Sequence, residues 1–349
     1  MSCRNRWFEL TVWVSLTLLT SCQKPREVKV VVVTMFERGE DAGDQPGELQ
    51  YWVEREGLDE KIPFPQGWRS LRMNGDGVLA ICTGVGTARA AASIMALGLD
   101  PRFDLRRAYW LVAGIAGIDP KDGTLGSAVW AEWVVDGDLG HEIDAREIPA
   151  DWLTGYIPLR KSRPYEPPRR TPDEGEVYHL NPKLREWAYQ KTKDIVLMDT
   201  EAIRQRRMLF LEENARRPPS VLKGDTLSAG TFWHGAKLSQ WANDWVRYHT
   251  DGQGNYVTTA MEDTGTLQAL TFLAAAGRVD RNRVMVLRTA SNFDQQRPGI
   301  SAAESLAETK VGSYVAYLPA LDAAHRVGSV VVRELVSNWS LWRESTPGH

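Results

Sequence analysis

The chain has 349 residues, 43% of them hydrophobic and 25% charged, which suits a globular protein of one large domain or two ordinary ones. Its 42 basic and 45 acidic residues are interspersed and leave a formal net charge of −3, so no surface for nucleic acid or anionic lipid is signalled. Three cysteines exclude a disulfide framework, and 14 tryptophans supply either flat binding surfaces or extra core mass.

In chain order, Arg4 and Arg6 precede a short apolar run, Leu10 to Leu19, and then Leu19-Thr20-Ser21-Cys22. That run is too short for a bilayer span, which takes about 20 residues, but it suits the apolar core of a signal peptide. Leu-Thr-Ser-Cys resembles the lipobox of bacterial lipoproteins, which implies cleavage after residue 21, a lipid on Cys22 and a body held in the periplasm. The alternative is an ordinary cleaved signal with a chance cysteine. No later segment has the length of a membrane span, so membrane contact is expected through the lipid alone.

Val28 to Met35 is a continuous β-branched run and reads as a strand covered on both faces. An acidic, Gly-rich loop follows, Glu37 to Glu48. Val78 to Thr83 is a second strand, turned by Gly84-Val85-Gly86 into a helix from about Ala88 to Leu97 that Gly98 ends. Ala108 to Ala113 is a third strand and Ser127 to Val135 a fourth. Arg160 to Pro172 reads as an exposed loop, Asn181-Pro182 as a helix start, and Arg204 to Arg207 as a solvated helix face. Leu238, Trp241, Ala242, Trp245 and Val246 form a helical stripe expected in the core. Thr258 to Ala276 is expected as a helix, Val284 to Thr289 as a late strand, and Ser301 to Glu304 as a capping box opening a long final helix. Strands alternating with helices predict an α/β sheet. We read one domain over 22–349, with a large insertion at about 151–225.

Four stretches carry chemistry. In Thr83-Gly84-Val85-Gly86, two glycines between strand and helix let backbone amides approach an anion, although a plain structural turn has the same pattern. Arg89 stands where a dinucleotide fingerprint has its third glycine, which excludes that motif. The run Gly224 to Gly235 holds Phe232 and Trp233 on a loop of small residues, either a stacking face for a base or a packed turn. Glu262, after Met261, falls in the first turn of a helix, where the dipole favours a carboxylate whatever its function. A carboxylate at a cleft mouth also accepts both hydroxyls of a ribose. Arg288 to Asp294 leaves a strand at its carboxyl end, where α/β sheets bind ligands. Asn292 both donates and accepts, which suits a purine edge, and Asp294 accepts only, unless protonated. The histidines have no metal-ligand spacing, and no metal site is expected.

Taken in order, Thr83 to Gly86 with Ala90 to Ala92, Val112 to Gly117, Gly126 to Val129, Ser228 to Phe232, Met261-Glu262 and Arg288 to Asn292 resemble the nucleoside phosphorylase and nucleosidase superfamily. Gly224 to Gly235, Thr258 to Thr264 and Asn292-Phe293-Asp294 are most similar to the purine nucleoside permease family. The resemblance implies a three-layer α/β sandwich around a central mixed, partly barrel-like sheet, and oligomerisation. It implies that Phe232 stacks on a purine, that Met261 and Glu262 hold the ribose, that Thr83 and Gly84 approach phosphate or ribose, and that Asn292 faces N7. Arg288 and Asp294, from the same late stretch, complete the candidate substrate-binding and catalytic sets.

Two departures bear on activity. Nucleosidases usually have Asp at the place of Asn292, and an amide supplies no proton at neutral pH; some purine phosphorylases use Asn. The water-activating glutamate of nucleosidases lies in the loop after the first strand, where Glu37 and Glu40 stand near but not at its place. Arg38 and Arg89 are the candidates for a phosphate co-substrate. The reading is therefore purine nucleoside capture and uptake at a bacterial envelope, which needs a membrane transport partner and no cofactor. Its alternatives are cleavage of the N-glycosidic bond by phosphate or water, and an envelope scaffold with an unused cleft.

Overall fold

The computed structural model describes residues 24–167, 175–308 and 314–348. The expected leader and Cys22 lie outside the described residues. The strands used below are β1 (Val30–Thr34), β2 (Val78–Cys82), β3 (Tyr109–Ile118), β4 (Ala128–Trp130), β5 (Trp133–Asp136), β6 (Val177–His179), β7 (Val221–Lys223), β8 (Asp225–Ser228), β9 (Tyr256–Ala260) and β10 (Val284–Phe293). The helices are α1 (Gln50–Arg55), α2 (Thr87–Leu99), α3 (Pro182–Thr192), α4 (Ala236–His249), α5 (Asp263–Ala275), α6 (Ala302–Glu308) and α7 (Tyr317–Ser337).

The sheet is mixed, and it branches at β3. Over its first half β3 lies between β1 and β10, parallel to both; at Gly117 and Ile118 it passes to β9, which runs antiparallel. From β9 the sheet continues through β8, β5 and β6, and beside β10 through β4 and β7. One ten-residue strand thus serves two arms of a curved sheet, the partly barrel-like form expected. Every residue of β1 is buried because alternate side chains enter different cores. Val31 and Val33 meet the layer of α2 and α5, while Val30 and Val32 meet α7 and Trp52 of α1. Helices on both faces complete three layers.

Several local expectations change. Thr258 to Ala260 are strand rather than helix: Thr258 pairs with Ile118, and its hydroxyl meets that of Thr226 at 2.8 Å. Gly98 lies inside α2, because a Cβ there would come within 2.2 Å of Leu273 Cδ1 on α5. The strand expected over Ser127 to Val135 breaks at Ala131 and Glu132, where the Asp225 carboxylate accepts from Glu132 N and Trp133 N. Strand β3 runs on through Gly114 to Gly117, and β10 through Asn292. The capping box forms, with Glu304 Oε2 accepting from Ser301 N at 2.8 Å, but it opens the short α6; α7 is separate. Of the basic stretch, Arg207 is buried and bonded to Asp199. Asn181 caps α3 as expected, accepting from Lys183 N and Leu184 N. Within 151–225, β6 and β7 join the sheet and α3 packs against α7. The stripe of Trp241, Ala242, Trp245 and Val246 is buried.

Candidate functional site

The chemistry gathers around Arg288, which β10 carries to the face shared with α2 and α5. Its side chain is 1% exposed. Nε and Nη2 donate to the Asp263 carboxylate at 3.1 and 2.6 Å, Nη2 also to Glu262 Oε2 at 3.2 Å, and Nη1 to the carbonyl of Ile115 at 3.2 Å. Burial opposes the guanidinium charge, but Asp263, Glu262 and Glu48 more than offset it and raise its pKa.

Glu262 stands at the residue before α5, and Gly86 N at the mouth of α2 donates to its Oε1 at 3.3 Å. Burial pushes the Glu262 carboxyl up, and Arg288 pulls it back. The loop that supplies Gly86 needs its glycines: φ is +84° at Gly84 and +95° at Gly86, a region that L side chains rarely adopt. Thr83 is buried beneath this loop, its carbonyl accepting from Ser93 Oγ at 3.0 Å. Met261 is half-buried beside Glu262.

A residue that the sequence did not single out completes this cluster. Glu48, in the loop after β1, is 6% exposed. Its Oε2 accepts from Met35 N and its Oε1 from Ile115 N, each at 2.7 Å. Burial pushes its carboxyl up to about 8, against the pull of Arg288 and with the push of Glu262. Gly114 makes room for it, since a Cβ there would lie 2.5 Å from Glu48 Oε1 and 2.7 Å from Arg288 Nη1. Glu37 instead caps α1, accepting from Leu49 N and Gln50 N at 2.9 and 2.7 Å, and Glu40 is exposed. Neither Glu37 nor Glu40 is bonded to Arg288; the third glutamate of that loop, 13 residues after Met35, lies beside it across Gly114.

Asn292 stands at the end of β10 opposite Gly117, after a bulge at Ser291. Across Gly117 lies Thr259 of β9, three residues before Glu262. A Cβ at Gly117 would be 3.3 Å from Asn292 Nδ2 and 3.0 Å from Thr259 Cγ2, so both side chains share that face. The amide is held locally: Ser291 Oγ donates to Oδ1 at 2.9 Å, and Nδ2 donates to the Phe293 carbonyl at 3.0 Å. Asn292 also borders a cavity of about 280 Å³ with His234, Phe210 and Tyr314.

Phe232 lies mid-way along a loop fastened at both ends. Ala229 N donates to the Ala260 carbonyl at 3.0 Å, and Gly235 N to the Asp294 carbonyl at 2.9 Å. The loop therefore bridges from the strand end before Glu262 to the strand end after Asn292, with the Phe232 ring 44% exposed. Asp294 faces elsewhere: its carboxyl is 1% exposed, takes the Tyr256 hydroxyl at 2.7 Å, and is pushed well up by burial and by Asp119. Arg38 sits over the Tyr317 ring at 5.9 Å and Arg89 over Trp68 at 4.4 Å. The structure thus joins Gly86, Glu262, Asp263 and Arg288 by direct bonds, brings Glu48 beside them through the Ile115 backbone that it shares with Arg288, sets Asn292 one strand away, and turns Asp294 toward α4. Among the described residues, no cluster of His, Cys, Asp and Glu is placed to hold a metal, and no helix is long and apolar enough to cross a membrane.

The purine nucleoside permease family model matches residues 27–347. A protein of Schizosaccharomyces pombe named as a probable purine nucleoside permease is 34% identical over 273 residues, 76% of this chain and 77% of its own length. A purine nucleoside permease of Candida albicans is 34% identical over 272 residues, covering 77% of this chain and 66% of its own. Among solved structures, the 5'-methylthioadenosine/S-adenosylhomocysteine nucleosidase of Helicobacter pylori is similar with a TM-score of 0.51 and 14% identity, over 88% of this chain and 99% of that one. The futalosine hydrolase of the same organism gives 0.51 and 16%, over 89% and 98%. At these identities the likeness to the two enzymes is one of fold.

Proposed function

The chain belongs to the purine nucleoside permease family, and from that premise we propose that it binds a purine nucleoside where Gly84 to Gly86, Glu262 and Asn292 meet at the strand ends. The observation that carries this reading is the fixing of Glu262: Arg288 and Gly86 N hold a buried carboxylate at the mouth of two helices. A carboxylate so fixed accepts the two hydroxyls of a ribose without first being ordered. Thr83 and Gly84 line the sugar side, Met261 packs under it, Phe232 lends its exposed ring to the base, and Asn292 meets the purine edge. In this role the protein is exported, anchored through a lipid on Cys22 in a bacterial envelope, assembled as a homo-oligomer, and hands its ligand to a membrane transport partner.

Cleavage of the glycosidic bond is the second reading, and Glu48 favours it. A carboxyl that titrates at about 8 exchanges its proton near neutral pH, which general acid–base catalysis requires. Water, or phosphate met by Arg38 or Arg89, would be the nucleophile, and Asn292 would stabilise the departing base by hydrogen bonding. Adenosine, inosine and guanosine incubated with the protein, with and without phosphate, and then chromatographed separate the readings. Under the first, the nucleoside quenches tryptophan fluorescence and is recovered intact. Free base at many turnovers per protein would replace uptake with catalysis, and absence of both binding and product would remove the nucleoside site altogether.

A further inference from the structure

A second cavity, of about 170 Å³, lies between α4 and the loop that carries Phe232, whose Ala229, Thr231 and Trp233 help to line it. Its walls are aromatic. Trp241 and Trp245 come from successive turns of one face of α4, Trp233 from the loop, and Tyr156 from the short strand Tyr156–Pro158, which pairs with Gly140–Glu142. The rings meet at different angles: Tyr156 and Trp241 are 4.4 Å apart and tilted by 30°, Trp233 and Trp241 are 6.1 Å apart at 82°, and Trp241 and Trp245 are 5.8 Å apart at 42°. They form a corner rather than a stack. Trp245 Nε1 donates to the Asp136 carbonyl at 2.7 Å, which fixes its ring. Two glycines let the indole edges sit flush: a Cβ at Gly137 would come 3.2 Å from Trp241 Cη2, and one at Gly140 would come 3.3 Å from Trp245 Cη2.

The rim is acidic. Apart from the imidazole of His141, the lining side chains able to carry charge are Asp138 and Glu142, both exposed. Asp138 accepts from Gly230 N, and Glu142 stands beside Tyr156 in the strand pair. Among the described residues, neither carboxylate has a Lys or Arg partner. The two carboxylates repel an anion and attract a cation over a distance, whereas a neutral ligand gains from them only where a hydroxyl or amine reaches them to donate a hydrogen bond.

We propose that this aromatic corner is a binding site for an organic cation of the quaternary ammonium class, distinct from the nucleoside site. Electron-rich rings attract a cation whose charge is spread over methyl groups, because such a cation leaves water at little cost. The carboxylates at the rim add long-range attraction and set the sign of the ligand.

Choline and 3,3-dimethyl-1-butanol have the same shape and differ in charge, so they isolate this interaction. Titrated into the full chain, choline should give a saturable change in tryptophan fluorescence and a matching heat, with the neutral alcohol about tenfold or more weaker. Glu142→Gln, at an exposed position, should keep the fold and weaken choline by roughly threefold to fivefold; Tyr156→Leu should weaken it further. Equal binding of the two probes, no saturable response to choline, or a Glu142→Gln variant as tight as the parent would each overturn the proposal. No nucleoside enters the experiment, so its outcome is independent of the nucleoside reading.

Discussion

Substitution of Glu48 by Gln tests the buried cluster most directly. In the folded protein the carboxyl titrates at about 8, against an ordinary 4.5. Between those two values the folded chain keeps a proton that the unfolded chain has lost. The associated stability is fully present below about pH 4.5 and is lost as the pH rises through about 8, at roughly 1.4 kcal/mol per pH unit, or about 5 kcal/mol in all. Gln has the shape of the protonated acid but cannot titrate. It accepts from only one of the two backbone donors, Met35 N and Ile115 N, and leaves the other unmet, a pH-independent loss of about 1–3 kcal/mol. Urea unfolding of both proteins in steps from about pH 5 to 9 gives the difference free of groups that titrate alike in both. The variant should be less stable near pH 5, equal near pH 6, and the more stable protein by about pH 8. Two parallel curves would mean that Glu48 is ionised throughout, and would refute the account of its burial.

Arg288→Met should cost about 3–5 kcal/mol, read from unfolding midpoints, because it leaves Glu262 and Asp263 buried without their cation; Arg288→Lys should recover only part of the loss, since an ammonium cannot span the bonds made by Nε, Nη1 and Nη2. Gly98→Ala should destabilise by about 1–3 kcal/mol, although helix propensity alone predicts a gain of roughly 1 kcal/mol, because its Cβ meets Leu273; thermal unfolding gives the sign, and Leu273→Ala in the same chain should relieve the clash.

What the sequence disclosed followed from local pattern. Val30 to Thr34 and Val78 to Cys82 are continuous apolar runs because helices cover both faces, and such runs are legible without partners. The glycine pair at Gly84 and Gly86, and the place of Arg288 to Asn292 at a strand end, were legible for the same reason. Glu48 was hidden because the bonds that define it are distant in sequence, 13 residues to Met35 and 67 to Ile115, and because Arg288, which lies beside it, is on another strand far along the chain. In the sequence it is one more acid ahead of α1. Thr258 to Ala260 read as helix because a true helix follows within three residues and extends its periodicity backward. Gly98 read as a helix end because the close neighbour that calls for a glycine, Leu273, lies 175 positions away.

The parallel pairing of α2 and α5 has a mechanical consequence. Gly98 accepts Leu273 at one end, and Gly265 accepts the Thr87 carbonyl at the other, 2.1 Å from where a Cβ would stand. Two rods pinned at both ends neither slide nor splay, so the amide of Gly86 and the carboxylate of Glu262 keep a constant spacing. Whatever enters between them must match a gauge that is already set, and any give in the mouth must come from the tethered arc around Phe232.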